Sequence, residues 1–292
     1  ATSSDSIYIT GGTSGDLDSQ TFAGERDAFL TKYNSEGEKV WTRLLGTSER
    51  DIGYGIATSS DSIYITGGTS GDLDSQTYAG GGGDAFLTKY DSGGTKVWTK
   101  ISGTSDFDIS HGVATSSDNS IYITGETGDG YYPDTFLKKY DSEGNIQWTE
   151  LLESSSNVGS LGVATSSDGG IYITGYTLDD AGNYDAFLTK YDSDGAIQWT
   201  RLLGSSSADA SFGVATASDG IIYITGAIQG DLDGQTNAGD FDAFLTKYRD
   251  SSPLNSNPLD LNSDGKVDVL DIVLAFNNNT KDKIEQIVDS IL

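Results

Sequence analysis

A fivefold internal repeat constrains the fold of this 292-residue chain more than any other feature. The motif IYITG begins at Ile7, Ile63, Ile121, Ile171 and Ile222. A second motif, DAFLTKY or a close variant, begins at Asp27, Asp84, Asp134, Asp185 and Asp242. A third, the pair WT, begins at Trp41, Trp98, Trp148 and Trp199. Residues 1–21 and 57–77 are identical, which indicates duplication within the chain.

Each unit of the repeat predicts four short β-strands. Runs such as GVATSS, IYITG, AFLTKY and VWTRLL are rich in β-branched and aromatic residues, and turn sequences such as SSDG and DSEG separate them. Four strands per repeated unit are typical of a β-propeller, whereas the rungs of the competing parallel β-helix are shorter, roughly 20–30 residues. We therefore predict an all-β fold over residues 1–250, a five-bladed propeller of four-stranded antiparallel blades.

The repeat also resembles a known family. GVATSSDGGIYITG, followed by DAFLTKYDSDGAIQWTRLLG, is similar to the SBBP repeats of bacterial β-propellers, and the resemblance covers residues 1 to about 250. It implies a propeller fold and a secreted or cell-surface bacterial protein, and it brings no catalytic residues. The family name implies seven blades, so either this chain forms a five-bladed ring or blades are missing.

The two ends of the repeat suggest how such a ring closes. The first copy lacks the residues that correspond to 51–55, and the last copy lacks its WT strand after Tyr248. Propellers remove an open sheet edge when a strand from one terminus completes the blade of the other. We expect this closure here, either by a strand upstream of Ala1 or by residues 249–259 covering the edge.

Residues 260–271 follow the linker 251–259 and have the spacing of a 12-residue EF-hand loop. Gly265 permits the sharp turn, and alternate oxygen-bearing positions converge on one point, as Ca²⁺ requires. The predicted Ca²⁺ ligands are Asp260, Asn262, Asp264, Lys266 through its carbonyl oxygen, Asp268 and Asp271. The alternative is a turn of this sequence that binds nothing.

The loop DLNSDGKVDVLD resembles one half of a type I dockerin, a module with two such loops that binds cohesins. The resemblance implies calcium binding. No second loop follows in residues 280–292, which instead predict an amphipathic helix with one apolar face. We predict an α-helical appendage over residues 260–292, able to support assembly or self-association through Ile284, Ile287, Val288 and Ile291.

Three loops that follow IYITG offer a second candidate cation site. Each reads GDLDSQT or GDLDGQT, and a 1-3-5 pattern of oxygen ligands suits a cation at the rim of a blade. The alternative is a solvated polar turn. The candidate ligands are Asp16, Asp18, Asp72, Asp74, Asp231 and Asp233, followed by Gln20, Gln76 and Gln235.

Composition excludes several functions. The formal net charge of −27 opposes binding to nucleic acid and to anionic membranes, and no apolar run is long enough to span a membrane. The chain has 0 Cys and a single His, His111, so thiol chemistry and an all-imidazole zinc site are impossible. His111 occupies a position that holds Tyr54, Leu161 and Phe212 in other units, which disfavours catalysis.

Two repeated residue classes are predicted to be structural. The Asp before AFLTKY is expected to accept backbone N–H groups of its own turn. The Tyr of IYITG and the Trp of the WT pair are expected to fill the space between blades. These aromatic residues are Tyr8, Tyr64, Tyr122, Tyr172, Tyr223, Trp41, Trp98, Trp148 and Trp199.

The sequence favours a non-enzymatic binding or structural module outside the cell, with a protein or glycan partner. The first hypothesis is a repeated acidic face that binds a protein or envelope partner polyvalently. A lectin is the alternative, with stacking platforms at Tyr78, Tyr131, Tyr132 and Tyr184. A third hypothesis, a catalytic or accessory component of extracellular polysaccharide degradation, depends on the dockerin resemblance.

Overall fold

The computed structural model describes residues 1–3, 5–128, 133–152, 158–178 and 182–250. Within these ranges the chain forms 19 β-strands in five antiparallel sheets, and no helix. The predicted all-β fold of repeated sheets is confirmed. The predicted linker and Ca²⁺-binding appendage, residues 251–292, lie outside the described residues.

Each sheet follows the chain in simple order. Sheet 1 contains β1 (Thr2–Ser3), β2 (Ser6–Thr13), β3 (Asp27–Asn34) and β4 (Lys39–Leu45). Sheet 2 contains β5 (Asp51–Ser59), β6 (Ser62–Thr69), β7 (Asp84–Asp91) and β8 (Lys96–Ser102). Sheet 3 contains β9 (Phe107–Thr115), β10 (Ile121–Gly128), β11 (Asp134–Tyr140) and β12 (Ile146–Leu152). Sheet 4 contains β13 (Val158–Thr165), β14 (Ile171–Leu178), β15 (Tyr184–Tyr191) and β16 (Ile197–Leu203). Sheet 5 contains β17 (Asp209–Thr216), β18 (Ile221–Ile228) and β19 (Asp242–Arg249).

The chain divides into two compact units. The described part of the first comprises residues between Ala1 and Ser218 and Tyr223–Thr246, and the described part of the second comprises Asp219–Ile222 and residues 247–250. In the second unit, the backbone N–H of Asp250 donates to the carbonyl oxygen of Gly220 at 2.9 Å. The sites described below lie in the first unit.

The first strands of sheets 2 to 5 pack side by side, with β9 between β5 and β13, and β13 between β9 and β17, while β5 also contacts β1 and β2 of sheet 1. A row of threonine hydroxyls ties them together. Thr115 Oγ1 donates to the carbonyl oxygen of Thr58 at 3.0 Å, and Thr165 Oγ1 donates to that of Thr115 at 2.8 Å. The same bond joins Thr58 to Thr2 and Thr216 to Thr165. The threonine of the repeated AT dipeptide therefore links each sheet to the one before it.

A β-bulge interrupts the first strand of sheets 2, 3 and 4 at the same place. The pairing skips Tyr54 in β5, His111 in β9 and Leu161 in β13. The bulge brings a carbonyl oxygen onto the glycine that ends IYITG. A Cβ on Gly125, for example, would lie 1.9 Å from the carbonyl oxygen of Ile109. Only glycine fits there in sheets 2 to 5, where a Cβ on Gly67, Gly125, Gly175 or Gly226 would lie 1.8–2.0 Å from such an oxygen, whereas Gly11 of sheet 1 faces the Phe29 ring.

The repeated aromatic residues occupy the places that the sequence predicts, with one difference. Tyr8, Tyr64, Tyr122 and Tyr172 are buried, and each packs against the Trp of its own sheet with ring centroids 5.9–6.2 Å apart. Tyr223 is instead exposed. No described sheet follows sheet 5 to cover this residue.

Three of the five aspartates before AFLTKY accept backbone N–H groups of their own loops, as predicted. The Oδ2 atoms of Asp27, Asp84 and Asp242 accept backbone N–H groups from Ala23, Ala79 and Ala238 at 2.6–3.0 Å. Burial raises the pKa of Asp84, and the neighbouring carboxylate of Asp108 adds to this shift. These carboxyl groups close loops of the scaffold.

Candidate functional site

The bulges in the first strands carry side chains that differ in type from one sheet to the next. The skipped residues are Tyr54, His111 and Leu161, and Phe212 holds the equivalent sequence position in sheet 5. Bulges redirect side chains out of the regular alternation of a strand. Tyr54 and Phe212 are 43% and 56% exposed despite their size. The scaffold thus presents one variable residue from each of four neighbouring strands.

A second variable row lies beside the first, directly after IYITG. Its members are Gly12, Gly68, Glu126, Tyr176 and Ala227. In sheets 3 and 4 the two rows interact, because Tyr176 Oη donates to Glu126 Oε1 at 3.1 Å and His111 Nε2 lies 3.9 Å from the same oxygen. Gly159 makes room for this pair, since a Cβ there would lie 2.5 Å from Glu126 Oε1.

This cluster is electrostatically unusual. Burial lowers the pKa of His111 to about 4, so the imidazole is neutral near pH 7 and its contact with Glu126 is not an ion pair. Burial raises the pKa of Glu126, and the hydrogen bond from Tyr176 opposes that shift. Burial and the nearby Glu126 carboxylate raise the pKa of Tyr176. The His111 ring packs edge-on against Tyr54, with centroids 5.3 Å apart.

An aromatic cleft of about 390 Å³ opens beside this cluster. Tyr176 and Tyr184 form one wall, with centroids 5.4 Å apart and planes at 87°. Phe212 and Phe241 are more than half exposed on the cleft. The rest of the lining is Leu161, Ala208, Asp209, Ala210 and Ala227. Its one carboxyl group, Asp209, is buried and accepts the backbone N–H groups of Ser205 and Gln229. The cleft therefore offers chiefly apolar and aromatic surface.

The GDLD loops form compact turns. In sheet 1, Leu17 and Gln20 pair through their backbones, and Asp18 and Ser19 have φ values of 50° and 61°, as in a type I′ turn. The Asp18 carboxylate contacts Lys39 Nζ and Thr42 Oγ1, and Asp16 Oδ1 accepts the backbone N–H of Phe22 at 2.9 Å. Asp74 and Asp72 repeat these contacts, whereas Asp231 repeats only the backbone bond.

The predicted cation site at these loops remains a prediction. Within the described ranges, no group of three or more His, Asp or Glu side chains is arranged to hold a metal. The ligands predicted for the tail, Asp260, Asn262, Asp264, Lys266, Asp268 and Asp271, lie outside these ranges. We also find no helical segment in the described residues with the length and hydropathy of a membrane span.

The predicted stacking residues fall in different environments. Tyr184 lines the cleft, as a ligand platform would. Tyr78 instead closes its own loop, because its hydroxyl oxygen accepts the backbone N–H of Gly82 at 2.8 Å. Tyr131 and Tyr132 lie outside the described residues.

Sequence reasoning did not identify Glu126, Tyr176, Phe212 and Phe241 as parts of one site. Most of these residues could have been found as positions where one unit departs from the repeat sequence. Sheet 4 has the small residue Gly159 where sheets 2 and 3 have Ile52 and Ile109. At the position after IYITG, sheets 3 and 4 have the large residues Glu126 and Tyr176, where sheets 1 and 2 have glycine. The smaller side chain in one strand therefore accompanies larger ones beside it. Departures from an otherwise strict repeat identify positions that the scaffold does not need.

Comparison with known proteins gives distant relatives. No family model matches the sequence. Regulatory protein FlaEY of Caulobacter vibrioides is 27% identical over 269 residues, which are 85% of this chain and 24% of that protein. The chain thus spans about a quarter of the curated relative that it matches.

Two solved structures are similar at low identity. Hydrazine synthase of Kuenenia stuttgartiensis has a TM-score of 0.48 at 14% identity, covering 69% of this chain and 60% of that one. The Hadza microbial sialidase Hz136 has a TM-score of 0.47 at 13% identity, covering 76% and 52%. This chain therefore spans less than two thirds of either structure.

Proposed function

We propose that residues 1–250 form a five-bladed SBBP-type β-propeller that acts outside the cell as a non-enzymatic protein-binding module. The observation that carries this proposal is the cleft between Tyr176, Tyr184, Phe212 and Phe241. Large aromatic side chains left exposed around a concave apolar surface are typical of binding sites and are costly to keep in water.

The chemistry of the cleft favours a protein side chain over a sugar. A glycan needs several donors and acceptors for its hydroxyl groups, but Asp209 already accepts two backbone N–H groups. The Glu126 carboxylate is likewise engaged by Tyr176. An aliphatic or aromatic side chain would gain by leaving water without requiring a polar partner.

The negative charge of the chain favours a partner with a basic segment. The formal net charge of −27 attracts a basic segment and repels an acidic one. Asp240 is exposed directly beside Phe241, so a cationic residue next to the anchor would find a carboxylate. We therefore propose a partner segment with one apolar anchor flanked by Lys or Arg.

A random peptide library displayed on phage tests this proposal. Peptides selected on the wild-type protein should share an apolar residue between basic residues, and they should lose binding to Phe212→Ser/Phe241→Ser. Both phenylalanines are exposed, so their replacement should leave the fold intact. Val97→Ser/Ile197→Ser is the matched control, because these residues are equally exposed on β8 and β16.

Two outcomes would contradict the proposal. Selected peptides that bind the double phenylalanine variant as well as the wild type would place their site elsewhere. Binding to a glycan array that depends on Tyr176 and Tyr184, without peptide enrichment, would favour the lectin alternative.

Calcium binding by the dockerin-like loop, residues 260–271, belongs to the same proposal and is supported by the spacing of its oxygen-bearing residues. Calorimetric titration of chelator-treated protein with Ca²⁺ should reveal one site that Asp260→Ala/Asp264→Ala removes. Sites that survive in this variant would implicate the GDLD loops, and absence of binding to the wild type would overturn the calcium assignment.

A further inference from the structure

The pair of tyrosines in the cleft is specific to sheet 4. Tyr176 directly follows IYITG, and Tyr184 is the first residue of β15. In sheet 2 the same two repeat positions hold Gly68 and Gly83. The remaining units have Gly12 and Arg26, Glu126 and Pro133, and Ala227 and Phe241 at these positions. The repeat therefore folds without two tyrosines there, so the packing of the scaffold does not account for them.

Sheet 5 leaves the space in front of these rings open. Ala208, directly before β17, stands where sheets 2 and 3 have the large residues Arg50 and Phe107. The equivalent gap between sheets 2 and 3, which Arg50 and Phe107 both line, is a cavity of about 20 Å³. The cleft between sheets 4 and 5 measures about 390 Å³. Large side chains fill the first gap, whereas small ones keep the second open.

The rings of the cleft present surfaces of negative potential. Tyr176 and Tyr184 meet almost at a right angle, with planes at 87° and centroids 5.4 Å apart, and Phe212 from β17 adds a third ring. Tyr176 Oη donates to the Glu126 carboxylate, which polarises the phenol and makes its ring richer in electrons. The faces of aromatic rings attract cations, and the attraction is strongest where water is excluded.

Elsewhere the chain provides the cations for its own tyrosine rings. Lys32 Nζ lies 5.6 Å from the ring centroid of Tyr8, and the equivalent lysine and tyrosine of sheets 2, 3 and 4 lie 5.7 Å apart. Among the described residues, no Lys or Arg lines the cleft. A cation that faces these rings therefore has to come from a ligand.

The polar atoms of the cleft select among cations. A primary ammonium has three N–H donors, and each needs an acceptor once the group leaves water. Asp209 already accepts two backbone N–H groups, and Glu126 accepts the Tyr176 hydroxyl. A trimethylammonium group has no N–H, presents only methyl surface and keeps its positive charge. Aromatic sites recognise such quaternary groups because their desolvation leaves no hydrogen bond unmade.

We propose that the cleft binds a trimethylammonium group carried on a methylated lysine side chain of the protein partner. This inference rests on the proposed binding function and specifies the residue that enters the cleft. In a choline phospholipid the same group is joined to a phosphate, which the net charge of −27 repels and which no Lys or Arg among the described lining residues neutralises. A trimethylated lysine has no such anion beside its cation.

Three blocked lysine amides test the choice of ligand. One is trimethylated, one is unmethylated, and the third has a carbon atom in place of the charged nitrogen, which makes it a neutral analogue of the same shape. The trimethylated amide should bind at least about tenfold more tightly than either of the others, because only this amide combines charge with methyl surface. Calorimetry measures the affinities. NMR gives a second readout, since methyl protons held over ring faces shift upfield.

Two variants remove ring faces while they retain apolar volume. Tyr184→Leu and Phe212→Leu should each weaken binding of the trimethylated amide by about fivefold or more, and that of the neutral analogue by less than about twofold. Phe212 is more than half exposed, so its replacement should preserve the fold, and circular dichroism checks both variants. Phe107→Leu, in the equivalent gap between sheets 2 and 3, is the matched control and should not change either affinity.

Four outcomes would overturn this inference. Equal affinity for the trimethylated and neutral amides would show an apolar site without cation recognition, and it would leave the proposed apolar anchor standing. Tighter binding of the unmethylated amide would show recognition by a carboxylate. Binding to phosphatidylcholine vesicles through Phe212, without binding of the lysine amide, would make a lipid the source of the group. If no amide binds a protein that still binds selected peptides through Phe212 and Phe241, this inference fails and the proposed function stands.

Discussion

Two positions four residues apart in the first strands of sheets 2 to 5 differ in how they vary among the repeats. The threonine of the AT dipeptide is the same in every unit, and its hydroxyl bonds one sheet to the previous one. Four residues before it, the bulge position holds Tyr54, His111, Leu161 and Phe212 in turn. The scaffold requires the threonine to link neighbouring sheets, whereas it tolerates different side chains at the bulge position. Identity among repeats therefore indicates structure here, and divergence indicates a site.

The strongest test of this comparison removes a leucine from the repeated core. Leu137→Ala should lower the free energy of unfolding by about 2–5 kcal/mol, because it opens a cavity between sheets 3 and 4. Leu245→Ala, the same substitution at an equivalent but exposed position, should cost about 0.5 kcal/mol or less in dilute solution. Urea denaturation of both variants measures the difference. Equal losses would mean that burial does not distinguish the two sheets.

The bulge itself should be sensitive to one added methyl group. Gly125→Ala places a Cβ against the carbonyl oxygen of Ile109, and such overpacking costs about 1–3 kcal/mol. Gly15→Ala is the control, since no atom lies within 4 Å of a Cβ there and its φ is not positive. Thermal unfolding compares the two. A Gly125→Ala protein as stable as the control would show that the bulge relaxes freely.

His111→Phe should alter the acid limb of the stability curve. The unfolded chain protonates His111 near pH 6.5, but the folded chain does so only near pH 4, so stability falls as the pH drops through this window. The full effect is about 3 kcal/mol at the acid end of the window. The variant should lose this slope and keep its fold, because Phe212 already occupies the equivalent position. Glu126→Gln should leave the slope from His111 in place.

The smallest effect on folding stability is expected from substitutions in the GDLD turns. Hydrogen bonds from Lys39 and then Thr42 lower the pKa of Asp18, so its stabilising contribution is present near neutral pH and is lost as the carboxylate protonates in acid. Asp18→Asn should reduce stability slightly and less at high salt. Asp233→Asn should not, since Asp233 has no such ion pair among the described residues. NMR titration of Asp18 checks the direction of the shift, and a raised pKa would contradict it.

Much of the architecture was predictable because the same strand motifs occur in five repeat units. Alternation within AFLTKY places Phe29 and Leu30 on opposite faces of a strand, and the structure buries the equivalent residues Phe86 and Leu87 in different interfaces. The structural assignment of Asp27, Asp84 and Asp242 was predictable for a local reason, since a short carboxylate at a strand start bonds its own turn. The carboxylates of the GDLD loops were harder to predict, because their partners lie on the fourth strand of the same sheet.

The sequence by itself determined the number of units, the strands within each unit and the residues that alternate between faces, because these depend on local propensity and on a period of two. The tertiary structure decided which divergent residues meet. Glu126, Tyr176 and His111 belong to two different units, and they converge only because the first strands of neighbouring sheets approach closely. It also decided which identical residues differ in environment: Leu30 and Leu245 occupy equivalent positions in the repeat, but only Leu30 has a neighbouring sheet to bury it.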